Sequence, residues 1–232
     1  TRYLSSAASD VYKRQYKPLV NRTALVTAGP TKEMIDPVRF ISNESSGKQG
    51  YAIAETLQSL GAKTTLVSGP TSLAEPNVEQ VIKVNSADQM LEACESSLPA
   101  DIAVCAAAVA DYKIANKEIA KIKKDGSRQN IILEENPDIL ERLSKRNHLR
   151  PKLVVGFAAE TSNLERNSDE KLNKKGCDWV LGNNVSENSI FNQDTNKIYF
   201  TSKLYSENWE LMTKKEVALS LIHISEPTRP TD

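Results

Sequence analysis

GKQGYAIAETLQSLGAKTTLVSGP, residues 47–70, decides the fold. Ile53, Leu57 and Leu60 recur along one face at helical spacing, and Gly61 stops the pattern. The apolar run that follows, AKTTLVSGP, reads as a buried strand ended by Gly-Pro. On the amino side, TALVTAG (residues 23–29) reads as another buried strand closed by a glycine turn. Strand, helix, strand in that order is the repeating unit of a parallel sheet covered on both faces.

The rhythm continues outward. EQVIKVN is a third strand, and SADQMLEACESSL a helix opened by Ser86 as its cap. DIAVCAAAVADY, KLVVGFAAET and CDWVLGNNV supply three more strands. Two segments break the alternation. Residues 113–132 begin polar and lysine-rich and pass through Asp125-Gly126-Ser127 to a short apolar run, the pattern of an excursion with a hairpin. FNQDTNKIYFTSKLYSENWELM (residues 191–212) holds two alternating apolar segments, expected as a late antiparallel pair before a closing helix. The expected fold class is α/β, a Rossmann-like three-layer fold with a mainly parallel central sheet, an antiparallel excursion and a flap. Residues 16–221 form the expected domain. Residues 1–15 and 222–232 lack a buriable pattern and read as disordered or non-native leader and tail.

Bulk properties exclude several classes. In 232 residues, thirty basic and thirty acidic side chains cancel, so no strongly basic nucleic-acid face is signalled. No apolar run is long enough to span a bilayer, and no secretion signal precedes the first strand. Cys94, Cys105 and Cys177 form no CxxC pair and read as reduced thiols, which fits a soluble, cytoplasmic protein. With two histidines, His148 and His223, neither a His-based zinc site nor a Ser-His-Asp or Cys-His constellation is visible.

Ligands of an open parallel sheet bind beyond the carboxyl ends of its strands. Those ends are AGPTKEMIDPVRFISNESSGK, SGPT, AAAVADY, GFAAET and GNNV, all rich in small, hydroxyl or amide side chains. Small residues let backbone N–H groups approach a ligand closely. RFISNESSGKQG (residues 39–50) matches no Walker pattern, and the first strand turn lacks the glycines of a dinucleotide fingerprint. Ser45 or Ser46 can cap the next helix, or the helix start can attract an anion with Asn43 and Ser45 beside it. The uncharged amide of Asn43 suits a developing oxyanion.

Other positions carry two readings each. Ala107 sits in a run of alanines that means either tight packing or close ligand approach. Asp111 is a turn residue or a ligand of a magnesium ion bridging phosphates. Lys121, in KIKK, belongs to a solvated charge run or to a flap carrying a lysine onto phosphate. Arg39 pairs with Glu33 or Asp36, or offers its fork to a phosphate or carboxylate. Phe157 is core or the wall of a base pocket. Asn136 reads as a helix cap with Pro137 at the first helical position. This inventory fits group transfer at a nucleotide phosphate, where positioning and charge neutralisation do most of the catalysis.

Taken together, TAGPTKEMIDPVRFISNESSGKQG, LVSGPT, CAAAVADY, KIKK, ENPDIL, VVGFAAET and GNNV closely resemble the phosphopantothenoylcysteine synthetase family of bacterial coenzyme A biosynthesis, over roughly residues 21–221. The resemblance implies a ligase that joins 4'-phosphopantothenate to L-cysteine through an acyl-cytidylate, with CTP converted to CMP and pyrophosphate. It implies catalytic roles for Asn43 and Lys121. It implies nucleotide contacts from Ser45, Ala107, Asp111, Lys121 and Phe157, with Asp111 beside Mg²⁺. It further implies substrate contacts from Arg39 and Asn43 and a homodimer across which Arg39 reaches. In that family the domain is usually fused to an FMN-dependent decarboxylase, so a partner decarboxylase is implied while FMN is not expected in this chain. Two rivals remain at this level, an NAD(P)-binding oxidoreductase on the same sheet type and a non-catalytic nucleotide-binding module.

Overall fold

Five of the six residues of β1 (Thr23–Ala28) are buried, as a strand covered on both faces requires. The computed structural model describes residues 17–124, 126, 130–185 and 195–225, with side chains through residue 222. The leader expected at residues 1–15, part of the Asp125–Ser127 turn, the start of the second excursion and the end of the tail lie outside the described residues.

After β1 comes a hairpin of β2 (Lys32–Met34) and β3 (Phe40–Ser42), then α1 (Lys48–Ser59), β4 (Lys63–Ser68), β5 (Gln80–Lys83), α2 (Ala87–Ser96) and β6 (Ile102–Cys105). A second hairpin, β7 (Tyr112–Ile114) with β8 (Leu133–Glu135), leads into α3 (Ile139–Ser144), β9 (Leu153–Glu160), α4 (Leu164–Lys175) and β10 (Trp179–Asn184). The chain closes with β11 (Thr195–Asn196), β12 (Ile198–Ser202), β13 (Ser206–Asn208), β14 (Met212–Thr213) and α5 (Lys214–Ser225).

The main sheet has eight strands in the order β13-β12-β10-β9-β6-β1-β4-β5. From β5 to β10 every pairing is parallel, and β12 and β13 extend the sheet antiparallel at one edge. Strand order changes direction between β1 and β6, the switch point where open α/β sheets leave a crevice.

Alternation along β1 divides the core. Ala24, Val26 and Ala28 face Ile53 and Leu57 of α1 and Val217 and Leu221 of α5. Leu25 faces Met90 and Cys94 of α2 and Leu143 of α3 on the opposite side. Under α4, Leu172 packs with Val154, Ala158 and Val180. These are the three layers expected from the sequence. Gly61, at φ 103°, ends α1 in a conformation that disfavours a side chain. Ser86 caps α2 in a reciprocal capping box with Gln89.

Several local expectations change. The second excursion does not stand apart, because β12 pairs with β10 and so joins the main sheet. Asn136 is not the cap of α3: the Asp138 carboxylate accepts from Glu141 N at 2.8 Å, and Asn136 instead donates through Nδ2 to Ala110 O at 2.8 Å. Residues 121–124 belong to no strand. α5 continues past Leu221 to Ser225. The three thiols are free, with Cys94 and Cys177 buried. Among the described residues, no helix is long and apolar enough to cross a membrane.

The amino edge of the sheet is tied by charge. Asp101 accepts from Thr23 N at 2.9 Å and from Lys152 Nζ at 2.7 Å. Across the sheet, Arg150 grips the Asp178 carboxylate at 3.0 Å through both oxygens. These ties lie opposite the carboxyl edge, which is left to the loops.

Candidate functional site

Beyond the carboxyl ends of β1, β6, β9 and β10 the loops enclose a cleft of about 840 Å³. Asn43, Ser45, Ala107, Asp111 and Phe157 all line it, so the switch point gathers five of the residues singled out from sequence. Arg39 and Lys121 do not line it.

The floor is the amino end of α1. Gly47 occupies the cap position at φ 75° with no side-chain cap of its own. Ser45 Oγ accepts from Gly47 N at 3.3 Å and Ser46 Oγ from Lys48 N at 3.4 Å, so the serines shape the turn rather than cap the helix formally. Lys48, Gln49 and Gly50 line the cleft, which turns the positive end of the helix into it. The SGPT loop after β4 does not line the cleft. It buttresses the floor from behind: Thr71 packs against Gly29 and Gly47, and its hydroxyl donates to Tyr51 Oη at 3.1 Å.

One wall is the loop after β6. Its N–H groups do not reach outward as the run of alanines predicts. Ala106 N donates to Thr27 O at 3.2 Å, Ala107 N to Thr27 Oγ1 at 3.2 Å, Ala108 N to Gly29 O at 2.9 Å and Ala110 N to Thr31 Oγ1 at 3.0 Å. The alanines therefore contribute room, not donors. Asn43 completes this wall, donating through Nδ2 to Val109 O at 2.9 Å. An amide nitrogen carries two hydrogens, so the bond that orients Asn43 leaves its second N–H for a ligand. Asp111 is exposed, and among the described residues its carboxylate makes no ion pair.

The facing wall is built from residues that the sequence does not single out. Lys171, Lys174 and Lys175 form one stripe of α4 along the cleft, together with Glu160 and Asn183 from the ends of β9 and β10. Lys175 Nζ lies 2.5 Å from Asp138 Oδ2 and 3.6 Å from Glu141 Oε2. Burial lowers the basicity of Lys175, but the two carboxylates outweigh it and hold its pKa above the usual lysine value. The available signal was the i, i+3, i+4 spacing of these lysines on the helix that follows GFAAET. Phe157 is half-buried and closes the cleft beside them. Cys105 also lines the cleft, and burial pushes its thiol well above the ordinary range, away from nucleophilic use.

A cleft at the switch point, floored by a helix amino terminus and walled by lysines, defines an anion-receiving site of the nucleotide-binding α/β class. The chain belongs to the family of the DNA/pantothenate metabolism flavoprotein C-terminal domain, which it matches over residues 19–226. It is 41% identical over 219 residues to the coenzyme A biosynthesis bifunctional protein CoaBC of Haemophilus influenzae, covering 94% of this chain and 54% of that protein. With the protein of the same description from Vibrio vulnificus strain YJ016, it shares 46% identity over 188 residues, 79% of this chain and 47% of that one. The chain thus spans about half the length of these curated relatives. The crystal structure of the C-terminal domain of a CoaBC protein superposes with a TM-score of 0.75 at 37% identity, covering 90% of this chain and 96% of that one.

Proposed function

We propose that the chain is a CTP-dependent ligase domain that joins 4'-phosphopantothenate to L-cysteine in coenzyme A biosynthesis. One observation carries the reading: Asn43, Ser45 and Asp111 converge on a cleft floored by the amino end of α1, in a chain that aligns with nearly all of a CoaBC C-terminal domain. A free carboxylate is a poor acyl donor because oxide would have to leave. Attack of the carboxylate on the α-phosphate of CTP releases pyrophosphate and leaves an acyl-cytidylate. The amine of cysteine then attacks the carbonyl carbon, and CMP departs.

Each step has candidate groups in this chain. The helix terminus and Ser45 receive triphosphate oxygens, Ala107 leaves room for the nucleotide, and Phe157 flanks the base. The second N–H of Asn43 donates to the acyl phosphate as charge develops. Lys121 and Arg39 do not line the cleft of one copy; their roles rest on the family resemblance, Lys121 neutralising phosphate charge from the flap and Arg39 binding the phosphate of phosphopantothenate across the homodimer. Among the described residues, no cluster of three or more metal-ligating side chains exists. Mg²⁺ does not need one, since it keeps waters and phosphate oxygens and takes one or two carboxylates. Asp111, exposed and without an ion pair among the described residues, fits that demand and would hold the ion, which supplies charge neutralisation on the triphosphate.

The connection from β1 to α1 separates this reading from a nicotinamide-binding one. Instead of a tight glycine turn it contains the β2–β3 hairpin, so the close strand-to-helix turn on which a dinucleotide pyrophosphate rests is missing. A non-catalytic module binds CTP without cleaving it. Pyrophosphate release is therefore measured for CTP and ATP, without and with phosphopantothenate and cysteine. The ligase reading predicts release from CTP that requires phosphopantothenate; binding without release would defeat it.

The same reading includes a homodimer, a decarboxylase partner and a cytoplasmic setting in keeping with the free thiols. Val38, Phe40, Tyr112, Ile132 and Leu133 leave apolar surface exposed on the two small hairpins, β2–β3 and β7–β8, which touch each other. A second copy covers them. Light scattering on Ile132→Asp should give a monomer where the unmutated protein gives a dimer.

A further inference from the structure

Asp36 is 1% exposed, yet it carries a charge and sits in the short turn between β2 and β3. Its two oxygens divide their work. Oδ1 accepts from Val38 N at 2.8 Å and Arg39 N at 2.9 Å, closing the turn. Oδ2 accepts from Arg39 Nε at 2.9 Å, from Arg39 Nη2 and, across 86 positions of sequence, from Ile122 N at 3.2 Å. Arg39 Nη2 also donates to Ile122 O at 2.9 Å. Both polar atoms of Ile122 are thereby held by one Asp–Arg pair, and Glu118 N adds a bond to Ile35 O at 3.0 Å. A segment that belongs to no strand is fastened to the hairpin at the residue next to Lys121. Arg39 lies four residues before Asn43, on the order of 13 Å along an extended strand.

We infer that Asp36 is a positioning residue for Lys121: with Arg39 it anchors the peptide of Ile122 to the hairpin that carries Asn43, which limits the range of the neighbouring lysine. The inference rests on the ligase reading for what Lys121 does, but the anchor itself does not. It also gives Arg39 a task besides phosphate binding. Nε and Nη2 hold Asp36 and Ile122, and among the described residues Nη1 is left for a phosphate, so substrate and lysine segment share one guanidinium.

Asp36→Asn separates the two oxygens. The amide keeps one carbonyl oxygen for the Val38 and Arg39 N–H groups, and it sets an NH₂ against the guanidinium and Ile122 N–H, donor against donor. The expected results are amide exchange at Ile122 about tenfold faster than in the unmutated protein and a kcat/KM for CTP about tenfold lower. In a Lys121→Ala background the same substitution changes kcat/KM by less than about twofold, because the lysine it positions is gone. Should Asp36→Asn fail to fold, Ile122→Pro removes the same donor in an exposed segment and takes its place in the cycle. Unprotected exchange at Ile122 in the unmutated protein, or losses that multiply in the double variant, overturns the inference. If the unmutated protein releases no pyrophosphate from CTP, the ligase reading fails separately and exchange at Ile122 alone decides the anchor.

Discussion

In the proposed reaction, Asn43 carries the most chemistry of any single residue. Its amide is oriented by Val109 O at 2.9 Å, so the donor left for a ligand is already aimed when substrate arrives. Preorganised donors of this kind are worth about 10²–10³-fold in rate. Asn43→Ala is expected to lower kcat by about 10²-fold with little change in thermal stability, because the side chain is exposed. Steady-state rates and a melting curve on one preparation check both halves. Asp36 shows how differently a carboxylate behaves a few residues away. The Arg39 guanidinium beside it, with three backbone N–H groups, holds its carboxyl well below the usual range, so it stays ionised through any assay pH.

At the scale of the element, α1 is the part on which the site depends. It rests on β1 through Gly50, where an added Cβ would meet Ala28 Cβ at 2.5 Å and Thr27 O at 3.0 Å. Alanine is the better helix former by about 1 kcal/mol, but overpacking against a backbone costs about 1–3 kcal/mol. Gly50→Ala is therefore expected to destabilise the protein in urea unfolding and, by lifting the helix terminus, to weaken CTP binding. The helix itself was legible from Ile53 and Leu57, because their spacing is a local signal that core burial then satisfies. The Ser86 cap of α2 was legible too, because capping is a local signal. What the sequence concealed is tertiary. The α4 lysines look like a solvated face until β9 and β10 bring the cleft against them. The alanine loop looks rich in donors until Thr27 and Thr31 are seen to accept them. The contact from Asp36 to Ile122 spans too much sequence for any local pattern to reveal.

Across the whole molecule, the sheet has one edge tied by charge and one edge left to ligand. Hydrogen bonding from Lys152 and Thr23 depresses the Asp101 carboxyl to about 2, and burial opposes this only in part. A depressed pKa contributes stability that is complete above the unfolded value near 4 and is lost as pH falls through the folded one. Asp101→Asn should therefore be less stable than the unmutated protein at neutral pH, with the difference closing between about pH 4 and about pH 2. Urea unfolding at stepped pH measures it. A gap that stays constant over that window would show that Asp101 acts without its charge.

In the proposed reaction this carboxyl edge activates a carboxylate by joining it to the α-phosphate of a nucleotide. Phosphopantothenate labelled with oxygen-18 in its carboxylate, incubated with CTP, cysteine and the protein, tests it most directly by mass spectrometry of the CMP formed. One labelled oxygen is expected in CMP, carried over when the amine displaces it. CMP free of label, beside a product formed all the same, would contradict it.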